Sequence, residues 1–63
     1  MKNFRTLYDF VVTSGKNDRL RGAYCSIEYA EGCGEQLRVG TEYTIWKRIN
    51  NRWHAYRTRE VGH

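Results

Sequence analysis

The stretch that decides how this chain folds lies near its end, at residues 41–59, TEYTIWKRINNRWHAYRTR. Tyr43, Ile45 and Ile49 are apolar and alternate with Thr44, Trp46 and Arg48, with Lys47 the one exception. A period of two is that of a half-buried strand. Asn50-Asn51 then suits the centre of a two-residue turn, because asparagine accepts the positive φ such turns require. The sequence therefore predicts a β-hairpin, with two registers open. A two-residue loop pairs Ile49 with Arg52, Arg48 with Trp53 and Trp46 with Ala55, and gathers Thr44, Trp46, Arg48, Trp53, Ala55 and Arg57 on one face. A three-residue loop slides the return strand by one and brings His54, Tyr56 and Thr58 there instead. Either way, Trp46 and Arg48 stand opposite the Tyr43/Ile45/Ile49 face.

Working outward, the charge is as uneven as the aromatic content. Residues 1–44 carry six basic and six acidic side chains, whereas residues 45–63 carry five basic and one acidic, so the net charge of +4 belongs to the hairpin. A local positive field implies an anionic partner, whether nucleic acid or an acidic protein surface. The middle of the chain, with Glu28, Glu31, Glu35 and Glu42 against Arg38, offers a patch of opposite sign. Opposed patches also permit a homodimer.

With 63 residues, the chain is expected to form a single domain, 1–63, close to the size at which one small core only just offsets chain entropy. That leaves no room for a deep catalytic cleft. No proline occurs, so turns fall to Gly, Asn, Asp and Ser. No apolar run is long enough to span a membrane and no signal-peptide core follows Met1-Lys2, which makes the cytoplasm the expected location. In a reducing compartment Cys25 and Cys33 are thiols; export would allow a disulfide between them. A zinc site would have to join both to His54 or His63 without the usual paired spacing, so no metal or other cofactor is expected.

Upstream, residues 3–13 read NFRTLYDFVVT. Phe4, Tyr8, Phe10 and Val12 alternate as in a strand, while Phe4, Leu7, Tyr8 and Val11 fit a helical stripe. The aromatic and β-branched content from Tyr8 to Thr13 favours strand for the second half. A short amphipathic helix capped by Asn3 stays open for the first. Ser14-Gly15-Lys16-Asn17-Asp18 is polar throughout and predicts a turn. Residues 20–30 again alternate, with Ala23, Cys25, Ile27 and Tyr29 against Tyr24, Ser26 and Glu28, which predicts a second strand with Cys25 as a small buried apolar residue. Residues 31–35, EGCGE, predict a flexible loop, and Gly40-Thr41 a break before the hairpin. The sum is a mostly β chain, a small antiparallel meander or open barrel of about four strands, with the N-terminal helix as an option.

Three short pieces resemble Src-homology-3-type domains. Thr6-Leu7-Tyr8-Asp9-Phe10 is similar to their ALYDY motif, residues 35–41, EQLRVGT, to their diverging turn, and Arg52-Trp53-His54-Ala55 to their tryptophan-bearing strand. The resemblance implies a small barrel, with Tyr8 and Trp53 helping to line a groove for proline-rich ligands. The spacing between the first two motifs is too long for that family, and its closing proline- and tyrosine-containing segment is absent.

Catalysis would need an acid, base or nucleophile joined to a second group by motif spacing. Asp9, Glu28, Cys25 and His54 have none, and Gly32 and Gly34 sit among glutamates that repel phosphate, so the chain is expected not to be an enzyme. Its chemistry suits binding. Bases stack on aromatic rings and arginine or lysine neutralises phosphate, so a hairpin interleaving the two is a candidate surface for single-stranded DNA or RNA. On this reading Trp46, Trp53 and Tyr56 stack, Lys47, Arg48, Arg52, Arg57 and Arg59 meet phosphates, and His54 is an exposed member of the basic face. Against it, aromatic residues dominate small cores, and both tryptophans could be buried. The same residue types also anchor protein interfaces. The alternative function is thus a small adaptor or inhibitor, of the kind a mobile element encodes, acting on a host protein through the same surface.

Overall fold

The computed structural model describes residues 8–62. Its elements run β1 (Phe10–Ser14), β2 (Arg19–Tyr24), α1 (Ile27–Glu35), β3 (Glu42–Ile49) and β4 (Arg52–Glu60). The four strands form one antiparallel sheet in the order β2-β1-β3-β4. This is the mostly β class expected from the sequence, an open sheet of four antiparallel strands with one short helix. β1 pairs antiparallel with both β2 and β3. The latter two therefore run parallel, and a parallel pair needs a crossover, which α1 supplies.

β1 is central, and its FVVTS sequence explains why. Val11, Val12, Thr13 and Ser14 are all buried, two on each side of the sheet, and β-branched residues pack well on a pleat covered on both faces. On the α1 side, Val12 joins Ala30, Tyr43, Ile45 and Val61 in the core, with Phe10, Tyr24, Ile27, Cys33 and Leu37 packed around it. Val61 is held by backbone hydrogen bonds to Gly40 and Thr41, which close the far end of the hairpin over the core.

The helix corrects two sequence expectations. Residues 25–30 do not continue β2, and residues 31–35 are not a loop. The strand stops at Tyr24, and Ser26, extended at φ −134°, caps α1 by accepting the Tyr29 N–H on its hydroxyl. Ile27, Ala30, Cys33, Gly34 and Leu37 then recur at helical spacing and turn toward the sheet. Cys25 lies in the link and is exposed rather than a small core residue. Two glycines inside a nine-residue helix are locally costly. One has a packing reason: Gly34 is buried where any Cβ would run into the Tyr43 ring.

The main hairpin forms as expected, and its register is the two-residue one. Asn50 and Asn51 have φ of 52° and 63°, the left-handed pair of a type I′ turn. Ile49 faces Arg52, Arg48 faces Trp53 and Trp46 faces Ala55. Asn-Gly serves such a turn better than Asn-Asn, so Asn51→Gly should stabilise the protein by about 0.5–1 kcal/mol in a urea titration. An unchanged or lowered midpoint would contradict the turn type. Beyond Ala55 the register shifts. Ile45 faces Arg57, leaving Tyr56 as the extra residue of a β-bulge.

The polar turn joining β1 to β2 spans residues 15–18, with Gly15 and Asp18 at positive φ; Ser14, expected in the turn, is the last residue of β1 and pairs with Tyr43. Phe10 is already strand; the helical option for residues 3–7, and the Thr6-Leu7 part of the family-like motif, lie outside the described residues. The segment likened to a diverging turn is the end of α1 and the loop after it.

Candidate nucleic-acid interface

Strand alternation and the bulge at Tyr56 together divide the residues that the sequence placed on one surface. Up to Ala55, the face away from α1 carries Trp46, Arg48, Trp53 and Ala55. After the extra residue, Thr58 rather than Arg57 returns to that face, and its hydroxyl meets that of Thr44 at 3.1 Å. Arg57 is turned to the α1 side, where it forms an ion pair with Glu31 of the helix. The expected single platform is therefore two surfaces: strand alternation already puts Lys47, Arg52 and His54 on the α1 side, and the inserted residue turns Arg57 and Arg59 to join them.

The first surface is the flank of β4 on the α1 side. Phe10 and Tyr56 meet edge to face, with ring centroids 6.2 Å apart and planes at 76°. Lys47 Nζ stands 6.0 Å from the Phe10 centroid and 5.9 Å from that of Tyr56. The Arg57 guanidinium lies 5.7 Å from the Tyr56 centroid. These distances are those of cation–π contacts, and they hold two cations beside a ring that is 47% exposed. By strand alternation Arg52, His54 and Arg59 share this side, all exposed. α1 packs on β1, β2 and β3, so the β4 flank lies beyond the helix and open to solvent. Both outer strands are edges, and each is arginine-rich: Arg19 and Arg21 in β2, Arg52, Arg57 and Arg59 in β4.

The second surface is the face away from α1. Here the Trp46 indole N–H donates to Thr13 Oγ1 at 2.9 Å, and the Thr13 hydroxyl donates to Asp18 Oδ1 at 3.3 Å. Trp46, Trp53, Thr13, Asp18 and Leu20 line a cleft of about 290 Å³. Both tryptophans are half-buried, neither the free stacking rings nor the core residues that the sequence left as alternatives. The Trp53 indole N–H is buried without a hydrogen-bond partner among the described residues. Arg48 is spoken for: its guanidinium bonds Asp9 at 2.9 Å, and its backbone N–H donates to the Asp9 carbonyl at 2.9 Å.

Two of the four acidic groups of the middle segment, Glu31 and Glu35, are likewise engaged. Glu31 pairs with Arg57, and Glu35 accepts the Tyr43 hydroxyl. Burial first, and then that hydrogen bond, push the Tyr43 phenol up to about 12. A hydrogen bond with Cys33, followed by burial, raises the Tyr24 phenol as well. Cys25 and Cys33 are thiols, not a disulfide. Among the described residues no three His, Cys, Asp or Glu side chains gather as a metal site, and no helix is long and apolar enough to cross a membrane.

Sequence reasoning missed Phe10 as a surface partner of Tyr56, and Asp18, Leu20 and Thr13 as cleft residues. No local signal marks them, since each is brought there by strand pairing. Compared with protein-family models, with curated proteins and with solved structures, the chain matches none.

Proposed function

We propose that this is a non-catalytic protein that binds single-stranded nucleic acid along the α1-side flank of β4. The observation that carries the reading is the exposed Tyr56 ring, backed edge to face by half-buried Phe10 and flanked by Lys47 and Arg57, with Arg52, His54 and Arg59 on the same side. A base can stack on Tyr56 while the surrounding cations meet the phosphates, without any sequence being read. Arg48 and the tryptophans leave this interface, because they lie on the other face. Arg57 takes part while paired with Glu31. The thiol state of both cysteines suits a cytoplasmic setting.

Anisotropy titrations of labelled mixed-sequence DNA and RNA single strands over a range of salt test the reading. Arg52→Ala and Arg59→Ala should each flatten the plot of log affinity against log salt by about 0.7. Tyr56→Ala should weaken binding by about 1–3 kcal/mol, the worth of one stacked base. Arg48→Ala should leave the salt slope unaltered. Binding that ignores the β4-flank substitutions, or no binding at low salt, would rule this function out.

One observation favours a second reading. Arg57 already holds the carboxylate of Glu31, so the same flank can take acidic side chains of a protein, as an adaptor or inhibitor would. In that case Tyr56→Ala dominates and the salt slope is shallow. Self-pairing through the β4 edge is disfavoured by the like charges it would oppose.

A further inference from the structure

We propose that the cleft between Trp46 and Trp53 receives one lysine or arginine side chain of a partner protein. The proposal does not depend on nucleic-acid binding, which uses the opposite side of the sheet.

A volume of about 290 Å³ is at the lower limit of small-molecule sites, enough for one side chain and too little for a large cofactor. Its lining fixes the chemistry of the occupant. Two indoles and Leu20 offer apolar and π surface, and Asp18 is the only charged residue among them. Indole faces attract cations, and a carboxylate at the rim pairs with them. Phosphate would be repelled by Asp18, and a purely apolar side chain would take water from that carboxylate without compensation. Lysine and arginine satisfy both parts, with an alkyl stem for the apolar wall and a charged head for Asp18.

The site is also built before anything arrives. The chain of hydrogen bonds from Trp46 through Thr13 to Asp18 fixes one ring and the carboxylate relative to each other, which lowers the ordering cost of binding. The protein's own cation on this face is kept away, since Arg48 is held by Asp9. The cleft opens on the sheet face that α1 leaves uncovered, so a polypeptide can lie across the surface around it.

The test is a titration of the ¹⁵N-labelled protein, following the two indole N–H signals, with the capped tripeptides Ac-Ala-Lys-Ala-NH₂ and Ac-Ala-Arg-Ala-NH₂. Norleucine in place of lysine gives the neutral isostere, and tetramethylammonium and guanosine are the other probes. Both indole signals should move saturably with the lysine and arginine peptides, and the norleucine peptide should bind about fivefold more weakly. Asp18→Asn should abolish that preference. The variant should keep its fold, because asparagine tolerates the positive φ of 50° at this position. Equal binding of the norleucine peptide overturns the cationic occupant. Tetramethylammonium binding as tightly as the peptides would make this a site for a free cation, and guanosine acting where the peptides do not would make it a base pocket; both overturn the proposal. Indole signals unmoved by every probe overturn it too.

Discussion

Gly34→Ala should destabilise this protein by about 1–3 kcal/mol, whereas Gly32→Ala, two positions earlier in the same helix, should stabilise it by about 0.5–1 kcal/mol. In any helix, replacing an interior glycine by alanine removes backbone freedom from the unfolded chain and so favours folding. At Gly32 nothing opposes that gain, because an added methyl group meets open space. At Gly34 the methyl group would overlap three atoms of the Tyr43 ring, far inside contact distance. The ring cannot swing away easily: Tyr43 is fully buried, and its hydroxyl is tied to Glu35. Relief requires α1 to lift from β3, which would loosen Ala30 over Val12 and Ile45 as well. Urea titrations of the two variants, followed by tryptophan fluorescence, measure both effects. If Gly34→Ala proved as stabilising as Gly32→Ala, the close approach of α1 to Tyr43 would have to be abandoned.

A second large effect is expected in alkali. The Tyr43 phenol ionises at about 12 instead of its ordinary 10.0. Its neutral form is therefore favoured by folding. That contribution is complete below about pH 10 and is lost as the pH rises from about 10 through about 12, because the unfolded chain releases the proton first. A displacement of this size corresponds to a loss on the order of 2–3 kcal/mol across the window. Tyr43→Phe keeps the ring but surrenders the hydrogen bond to Glu35, costing about 1 kcal/mol at neutral pH. Glu35 is exposed and can turn to water. The substituted protein no longer has this group to ionise. It should start less stable than the parent and fall less steeply, so that the two stability curves approach and cross between about pH 10 and 12. Parallel curves over that range would show that the phenol is not held as described.

The flank and the cleft together change how the basic excess of this chain is understood. Two of its arginines, Arg48 and Arg57, have carboxylate partners within the fold. Arg48 fastens the residue before β1 to β3, and Arg57 ties β4 to α1. A count of charges in the sequence treats such groups as available, whereas Lys47, Arg52 and Arg59 are the better measure of what the hairpin can offer a phosphate. The two tryptophans follow the same logic. Each is half-buried, which makes them walls of a cleft.

Local pattern by itself determined the hairpin. Alternation at Tyr43, Ile45 and Ile49 and the tolerance of asparagine for positive φ are properties of neighbouring residues, and they place β3, the turn and the start of β4 without knowledge of anything else. The aromatic and β-branched content up to Thr13 likewise pointed to a strand, and the polar residues after it to a turn, although pairing with Tyr43 carries the strand one residue further, to Ser14. α1 was misread for a physical reason. Its stripe of Ile27, Ala30, Cys33 and Gly34, opened by a capping serine and followed by Leu37 just past its end, is present in the sequence, but Ala23, Cys25, Ile27 and Tyr29 alternate equally well and two glycines argue against a helix. What settles the matter is burial: the crossover between parallel β2 and β3 must cover Tyr43 and Ile45, and only a helix bearing Gly34 comes close enough. The bulge at Tyr56 was likewise decided by the tertiary structure. It lets Tyr56 reach Phe10 and Arg57 reach Glu31, partners 46 and 26 residues away in sequence, and contacts of that kind exist only once β1 and α1 are in place.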